Sequence, residues 1–163
     1  MICQGNIYRS PFAAALLTRG APDGCRVLSA GFQGPGRPVP PSALAAAREW
    51  DIDLAGHRSQ LVTPALLAGA DLVIAMEASQ GQRLRRDYGR PAHDLLLLGD
   101  LDPDPVPGRS IDDPWDRPLT ELLEVYARIA RCAGALQAAL ATAPAPREAG
   151  VAAGPRPHPA VRA

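Results

Sequence analysis

Near its start the chain sets a thiol and a guanidinium six positions apart, in the run Cys3-Gln4-Gly5-Asn6-Ile7-Tyr8-Arg9-Ser10-Pro11. Gly5 and Asn6 are the residue types most tolerant of positive φ, so the chain can curl between Cys3 and Arg9. Ser10-Pro11 then lead into Phe12–Leu17, a run compatible with a helix. A loop that curls into a helix N-terminus turns its backbone N–H groups towards one point, here those of Gln4, Gly5, Asn6, Ile7, Tyr8 and Ser10. Such a cup suits a tetrahedral oxyanion. Arg9 adds a fork for two of its oxygens, and Cys3 lies at the bottom as a nucleophile.

The same surroundings explain how that sulfur could react. A free thiol is mostly protonated near neutral pH, and helix N-termini and nearby cations favour the thiolate. The helix dipole, the loop amides and Arg9 all act on Cys3 in that sense, and Ser10 can donate a further hydrogen bond to sulfur. A lone Cys in a turn is usually an inert packed residue. It is the whole set of Cys3, Gly5, Asn6, Arg9, Ser10 and Pro11 that carries the chemical reading.

The elements that must position this loop follow a βα order. Residues Pro11–Arg19 read as a helix with Pro in its first turn, and Cys25–Gly31 as a strand ending in a Gly turn. Gly34–Pro41 is a Pro/Gly loop, and Ser42 is placed to cap a helix running to Trp50. Asp71–Met76 is an apolar run after one Asp, the pattern of a strand buried on both faces. Ser79–Tyr88 reads as a helix and Leu95–Leu98 as another strand. Asp100–Pro118, rich in Pro and Asp, reads as a long loop of the kind that carries function. Leu119, Leu122, Leu123, Tyr126, Ile129, Ala130, Ala133 and Leu136 keep helical spacing in the last helix. The alternation predicts a three-layer α/β domain over residues 1–141, a small parallel sheet flanked by helices, with the active loop at a strand's C-terminal end. Residues 142–163, Ala/Pro-rich and without apolar periodicity, are predicted to be a disordered tail.

Composition bounds the setting. The chain has 163 residues, 47% of them hydrophobic, and its 17 basic residues balance its 17 acidic ones. One domain with one filled core fits this length. A net charge of zero gives no reason to expect nucleic acid or an anionic membrane as partner, so any anion site must be local. Arg83, Arg85 and Arg86 read as the solvated face of a helix. Three widely spaced cysteines, Cys3, Cys25 and Cys132, argue against a disulfide framework and a zinc site. No run of ~18 apolar residues marks a membrane span, and no signal peptide is visible. A reduced, cytoplasmic setting is the expectation, and it suits a reactive thiolate.

The pattern Cys-x-Gly-Asn-x-x-Arg-Ser-Pro, joined to Asp113-Pro114-Trp115 late in the chain, resembles the low-molecular-weight protein-tyrosine phosphatases. Ser29-Ala30-Gly31, Gly56-His57-Arg58-Ser59 and Asp71–Glu77 extend the likeness over roughly residues 2 to 140. The resemblance implies hydrolysis of phosphotyrosine on proteins through a phosphocysteine on Cys3, with Arg9 clamping the phosphate and Asp113 as general acid and base, and no metal or cofactor. The local chemistry separates Asp113 only weakly from Asp112 and Asp116; the match on Pro114 makes that choice. The resemblance also implies that Asn6, Ser29 and His57 hydrogen-bond one another beneath the loop, and that Trp115 forms an aromatic wall for the substrate ring. Trp50 is assigned to packing. Oligomeric state is not legible.

The chain departs from the family pattern in three places. Only Met1 and Ile2 precede the nucleophile where the family has about half a dozen strand residues, so the first strand reads as truncated. Its neighbours are then expected to lose ladder partners, and the true start is expected upstream. Tyr8 stands where many members have a second loop Cys. Phe32 is the only aromatic after Gly31 available for the other wall of the cleft. The shortened start sustains an alternative, a non-catalytic phosphotyrosine-binding remnant. A thioredoxin-coupled arsenate reductase is set aside, because that relay needs two further cysteines in mid-chain and none lies between Arg26 and Arg131.

Overall fold

Four short strands stand at the centre of the computed structural model, which describes residues 1–142. β1 (Ile2–Cys3), β2 (Ala30–Gly31), β3 (Val73–Ala75) and β4 (Leu95–Leu97) lie in the order β2-β1-β3-β4, every pair parallel. Parallel neighbours require crossovers, and these are supplied by α1 (Arg9–Arg19), α2 (Pro41–Arg48), α3 (Pro64–Ala68) and α4 (Ala78–Tyr88); α5 (Leu119–Thr142) closes the described chain.

The pleat sorts the strand side chains between two cores. Cys3 and Ile74 face the larger one, with Phe12 of α1, Ala43 and Ala46 of α2, and Leu122, Tyr126 and Ile129 of α5. Ile2, Val73 and Ala75 face the smaller one, with Leu67 of α3 and Leu84 of α4. In the larger core the Phe12 ring stacks on Tyr126 with centroids 3.9 Å apart, and Trp50 meets Phe12 edge-on at 5.4 Å. Trp50 is therefore a packing residue. The three layers are those the sequence predicts.

The central strand is short but present, which corrects the expectation that its neighbours lose their partners. Ile2 pairs with Ala30 and Ala75, and Cys3 with Gly31. Met1 O accepts from Ala30 N at 3.0 Å and Ile2 O from Met76 N at 3.2 Å. The strands beside it are shorter than predicted. β2 spans only Ala30–Gly31 rather than Cys25–Gly31, and β3 Val73–Ala75 rather than Asp71–Met76. An extended backbone becomes a strand only where a neighbour completes its ladder; β1 offers two residues to β2, and β3 takes its three from pairing with β4. Leu28 and Leu72, outside that ladder, are 39% and 41% exposed.

Helix boundaries differ in informative ways. α1 starts at Arg9, ahead of Pro11, so Arg9, Ser10 and Pro11 form its first turn. Ser42 does not cap α2: Pro40 holds the N-cap position, Pro41 begins the helix, and Ser42 Oγ lies 3.5 Å from Tyr8 Oη. The unforeseen α3 is capped by Thr63, whose Oγ1 accepts from Leu66 N at 3.1 Å. Leu119 opens α5 but is 47% exposed, off the stripe that buries Leu122, Tyr126, Ile129 and Leu136. The predicted tail lies outside the described residues beyond Thr142. Among the described residues no helix is long and apolar enough to cross a membrane.

Candidate active site

The loop from Cys3 to Arg9 joins the C-terminal end of β1 to the N-terminus of α1, where the helix dipole favours an anion. Cys3 is 2% exposed. Its Sγ accepts from Asn6 N at 3.2 Å and shares a hydrogen bond with Ser10 Oγ at 3.0 Å. Asn6 makes the turn at φ 52°, in the left-handed region, and its side chain is wholly buried. Asn6 Nδ2 donates to Ser10 Oγ and Ser29 Oγ, both at 2.9 Å, while Oδ1 accepts from Gln60 N at 2.9 Å. The Asn6 carbonyl accepts from His57 Nε2 at 2.8 Å, which assigns that ring proton to Nε2. Asn6, Ser29 and His57 thus meet beneath the loop.

Close approach of β2 to the loop depends on Gly31. A Cβ there would lie 2.8 Å from Asn6 N and 3.0 Å from Gln4 O. Phe32 N donates to Gln4 O at 2.9 Å and ties the next residue down. Ile7 is buried at the loop's centre.

Arg9 is 1% exposed, and its guanidinium is oriented from one side only. Nη1 donates to Glu77 Oε1 at 2.6 Å and to Ile111 O at 2.7 Å. Nη2 lies 2.6 Å from Asp113 Oδ2 as an ion pair, but out of line for a hydrogen bond. Nε is a buried donor without a hydrogen-bond acceptor among the described residues, while Nη2 has the Asp113 carboxylate as its counter-charge.

Geometry also separates the three neighbouring aspartates. Asp113 reaches Arg9, whereas Asp112 and Asp116 are exposed. Its loop is fixed from several sides. Ile111 N donates to Met76 O at 2.7 Å, and Ala78 N to Ser110 Oγ at 3.1 Å. Arg128 of α5 donates to Ser110 O at 2.9 Å, Gly108 O at 2.8 Å and Asp102 Oδ2 at 3.0 Å. Arg131 Nε reaches Asp102 Oδ1 at 3.1 Å. Burial pushes the Asp102 carboxyl up, but hydrogen bonds from Arg131, the Asp104 amide and Arg128 outweigh it and hold the group below its ordinary range.

Trp115, 60% exposed, stands edge-to-face with Tyr8, ring centroids 6.1 Å apart. The two aromatics border the loop on the Asp113 side. Phe32 does not form the opposite wall. Its ring turns to the smaller core, with Tyr88 at 6.5 Å and the Arg83 guanidinium 4.3 Å over its face. The residue beside Gly5 is Arg37, whose Nη2 donates to Gly5 O at 2.7 Å.

Sequence reasoning missed four participants: Glu77, Gln60, Arg37 and Arg128. Glu77 was legible as the N-cap of α4, in a capping box with Gln80. The other three act through contacts distant in sequence, which no local signal marks.

The chain matches known proteins over most of its length. Residues 1–145 match the family model described as low molecular weight phosphotyrosine protein phosphatase. The chain is 34% identical over 132 residues to the probable low molecular weight protein-tyrosine-phosphatase EpsP of Ralstonia nicotianae, covering 80% of this chain and 87% of the relative. It is 31% identical over 134 residues to Wzb of Escherichia coli K12, covering 82% and 88%. Among solved structures, Wzb of Escherichia coli K30 in complex with sulphate superposes with a TM-score of 0.78 at 28% identity, over 85% of this chain and 94% of that one. YwlE arginine phosphatase from Geobacillus stearothermophilus gives a TM-score of 0.78 at 27% identity, over 86% and 90%.

Proposed function

Since the chain belongs to the low-molecular-weight protein-tyrosine phosphatase family, we propose that it hydrolyses phosphotyrosine on proteins by double displacement at Cys3. The enzyme is a hydrolase of protein phosphotyrosine, and the steps divide among the loop residues and Asp113. The Cys3 thiolate attacks phosphorus, forming the S–P bond as the P–O bond to the aryl group breaks. Arg9 and the amides from Gln4 to Ser10 hold the equatorial oxygens, where charge spreads in the transition state. Protonated Asp113 gives its proton to the departing phenolate oxygen. Asp113 carboxylate then takes a proton from water as that water attacks phosphorus, and the S–P bond breaks to return the thiolate and free phosphate. Ser10, hydrogen-bonded to Sγ, stabilises the thiolate on both occasions.

The observation that carries this reading is the buried Arg9 guanidinium, which stands in the first turn of the helix after the Cys3 loop, held through Nη1 by Glu77 and the Ile111 carbonyl and paired through Nη2 with Asp113. Asp113 supplies the negative charge beside Nη2. A phosphoryl group would replace it there and free the carboxyl to meet the leaving oxygen. The Tyr8–Trp115 pair supports an aryl substrate.

Hydrolysis of phenyl phosphate and of a phosphotyrosine peptide tests the proposal. Cys3→Ser is expected to abolish turnover, and Asp113→Asn to lower kcat by about 10²–10⁴-fold, the usual range for general acid–base catalysis. A folded protein that binds phosphotyrosine without turnover would favour the non-catalytic remnant instead. Preferential cleavage of phosphoarginine would overturn the choice of an aryl substrate.

A further inference from the structure

Three loop carbonyls are pinned from outside by side chains of other segments, those of Gly5 by Arg37, Asn6 by His57 and Tyr8 by Tyr126, and Arg37 is the donor that carries a fixed charge. The Gly5 carbonyl accepts from Arg37 Nη2 at 2.7 Å; the N–H of the same peptide unit, on Asn6, donates to Cys3 Sγ at 3.2 Å. A single rigid peptide plane thus stands between the guanidinium and the sulfur. Arg37 is itself held firmly. Its N–H donates to Ser59 Oγ at 3.0 Å, its carbonyl accepts from Ser59 N at 2.9 Å, and its Nε donates to Gly34 O at 3.2 Å. Ser59, 3% exposed, donates to the same Gly34 O at 2.9 Å.

We propose that Arg37 is a positioning residue for the nucleophile, fixing and polarising the Gly5–Asn6 peptide so that its N–H stabilises the Cys3 thiolate. The idea rests on the phosphatase reading, in which that thiolate attacks. Two effects combine. Pinning the carbonyl outward leaves the N–H no orientation but inward, towards sulfur. A positive donor on the carbonyl also draws charge along the peptide, strengthening the N–H as a donor, the cooperativity of chained hydrogen bonds. His57 on the Asn6 carbonyl does the same for the next peptide without a fixed charge. The other groups around Cys3 are the Met1 ammonium, Arg9 with Glu77 behind it, Tyr8, His57, Asp113 and the Tyr126 hydroxyl. None of them bonds to Arg37, so each is common to parent and variant.

The test reads the sulfur directly. In a Cys25→Ser background, which removes the exposed thiol, carboxamidomethylation of Cys3 by iodoacetamide is followed by mass spectrometry at pH 6 and pH 9. Arg37→Met is expected to lower the ratio of the pH 6 rate to the pH 9 rate by about 3–10-fold, up to one decade in thiolate population. Arg37→Lys, which keeps a cation, is expected to restore the ratio to within about 2-fold of the parent. Should Arg37→Met not fold, Arg37→Gln keeps a donor for Gly5 O and is expected to show a smaller drop. An unchanged ratio in a folded Met or Gln variant overturns the proposal, even if turnover falls. A parent protein without phosphatase activity but with these ratios would defeat the phosphatase reading and leave the role of Arg37 standing.

Discussion

Replacing Asn6 separates two contributions that the structure superimposes at one residue. Its side chain makes three hydrogen bonds, to Ser10 Oγ, to Ser29 Oγ and from Gln60 N. Its backbone sits at φ 52°. At about 1 kcal/mol net per bond, losing the amide costs about 3 kcal/mol. An alanine in the left-handed region adds about 1–2 kcal/mol, giving about 4–5 kcal/mol for Asn6→Ala. Asn6→Gly loses the same bonds but adopts the turn freely, so it should be more stable than the alanine variant by about 1 kcal/mol. Both variants release the N–H that faces Cys3, and kcat/KM for phenyl phosphate should fall by about 10²-fold or more, as small misplacements of reacting groups do. Urea unfolding followed by circular dichroism gives the stabilities, and initial rates give the activity. Equal stabilities for Ala and Gly would refute the strain argument. Stabilities within about 0.5 kcal/mol of the parent, inside the range of ordinary surface changes, would refute the hydrogen-bond network.

Two further outcomes follow from the loop that carries Asp113. Arg128→Met removes the hydrogen bonds to Ser110 O, Gly108 O and Asp102, which keeps Arg131; at about 1 kcal/mol net per bond it should destabilise by about 3 kcal/mol. Because the general acid matters most for poor leaving groups, phenyl phosphate turnover should drop further than that of 4-nitrophenyl phosphate, and equal losses would deny Arg128 a hold on the acid. The second outcome concerns acid stability. The folded state holds the Asp102 carboxyl below its unfolded value of about 3.9, so its contribution is present above about pH 4 and is lost as pH falls through the folded value. The stability gap between parent and Asp102→Asn should therefore be full at pH 6 and narrow as the pH falls below about 4; a constant gap would count against it.

Much of the site could be read locally because its chemistry is local. Cys3, Asn6, Arg9 and Ser10 lie on one turn, and the residue types alone specify its shape and charge. The sheet and its helices followed from apolar runs and spacing. Strand lengths did not, because Val27–Ser29 and Asp71–Leu72 read as strand from composition, while the residues that neighbouring strands offer, two from β1 to β2 and three from β4 to β3, decide how far a ladder extends. The place of Phe32 was open for a related reason: its neighbours Arg83 and Tyr88 come from α4, distant in sequence. Asp113 could not be separated from Asp112 by residue type, since the distinction is which of them the Arg9 guanidinium meets.

The props of the loop come from far along the chain. Asn6 is held by Gln60, 54 positions on, and Arg9 by the Ile111 carbonyl, 102 positions on. During folding, therefore, the anion cup cannot form from the N-terminal segment alone, because its closure must wait for contacts of high sequence separation. The linkage also runs in reverse: an oxyanion that binds only the closed loop holds residues 29, 57, 60, 77 and 111 in register at once. Inorganic phosphate at 100 times its Kd would thus raise global stability by about 2.7 kcal/mol, and slow amide exchange as far away as α5.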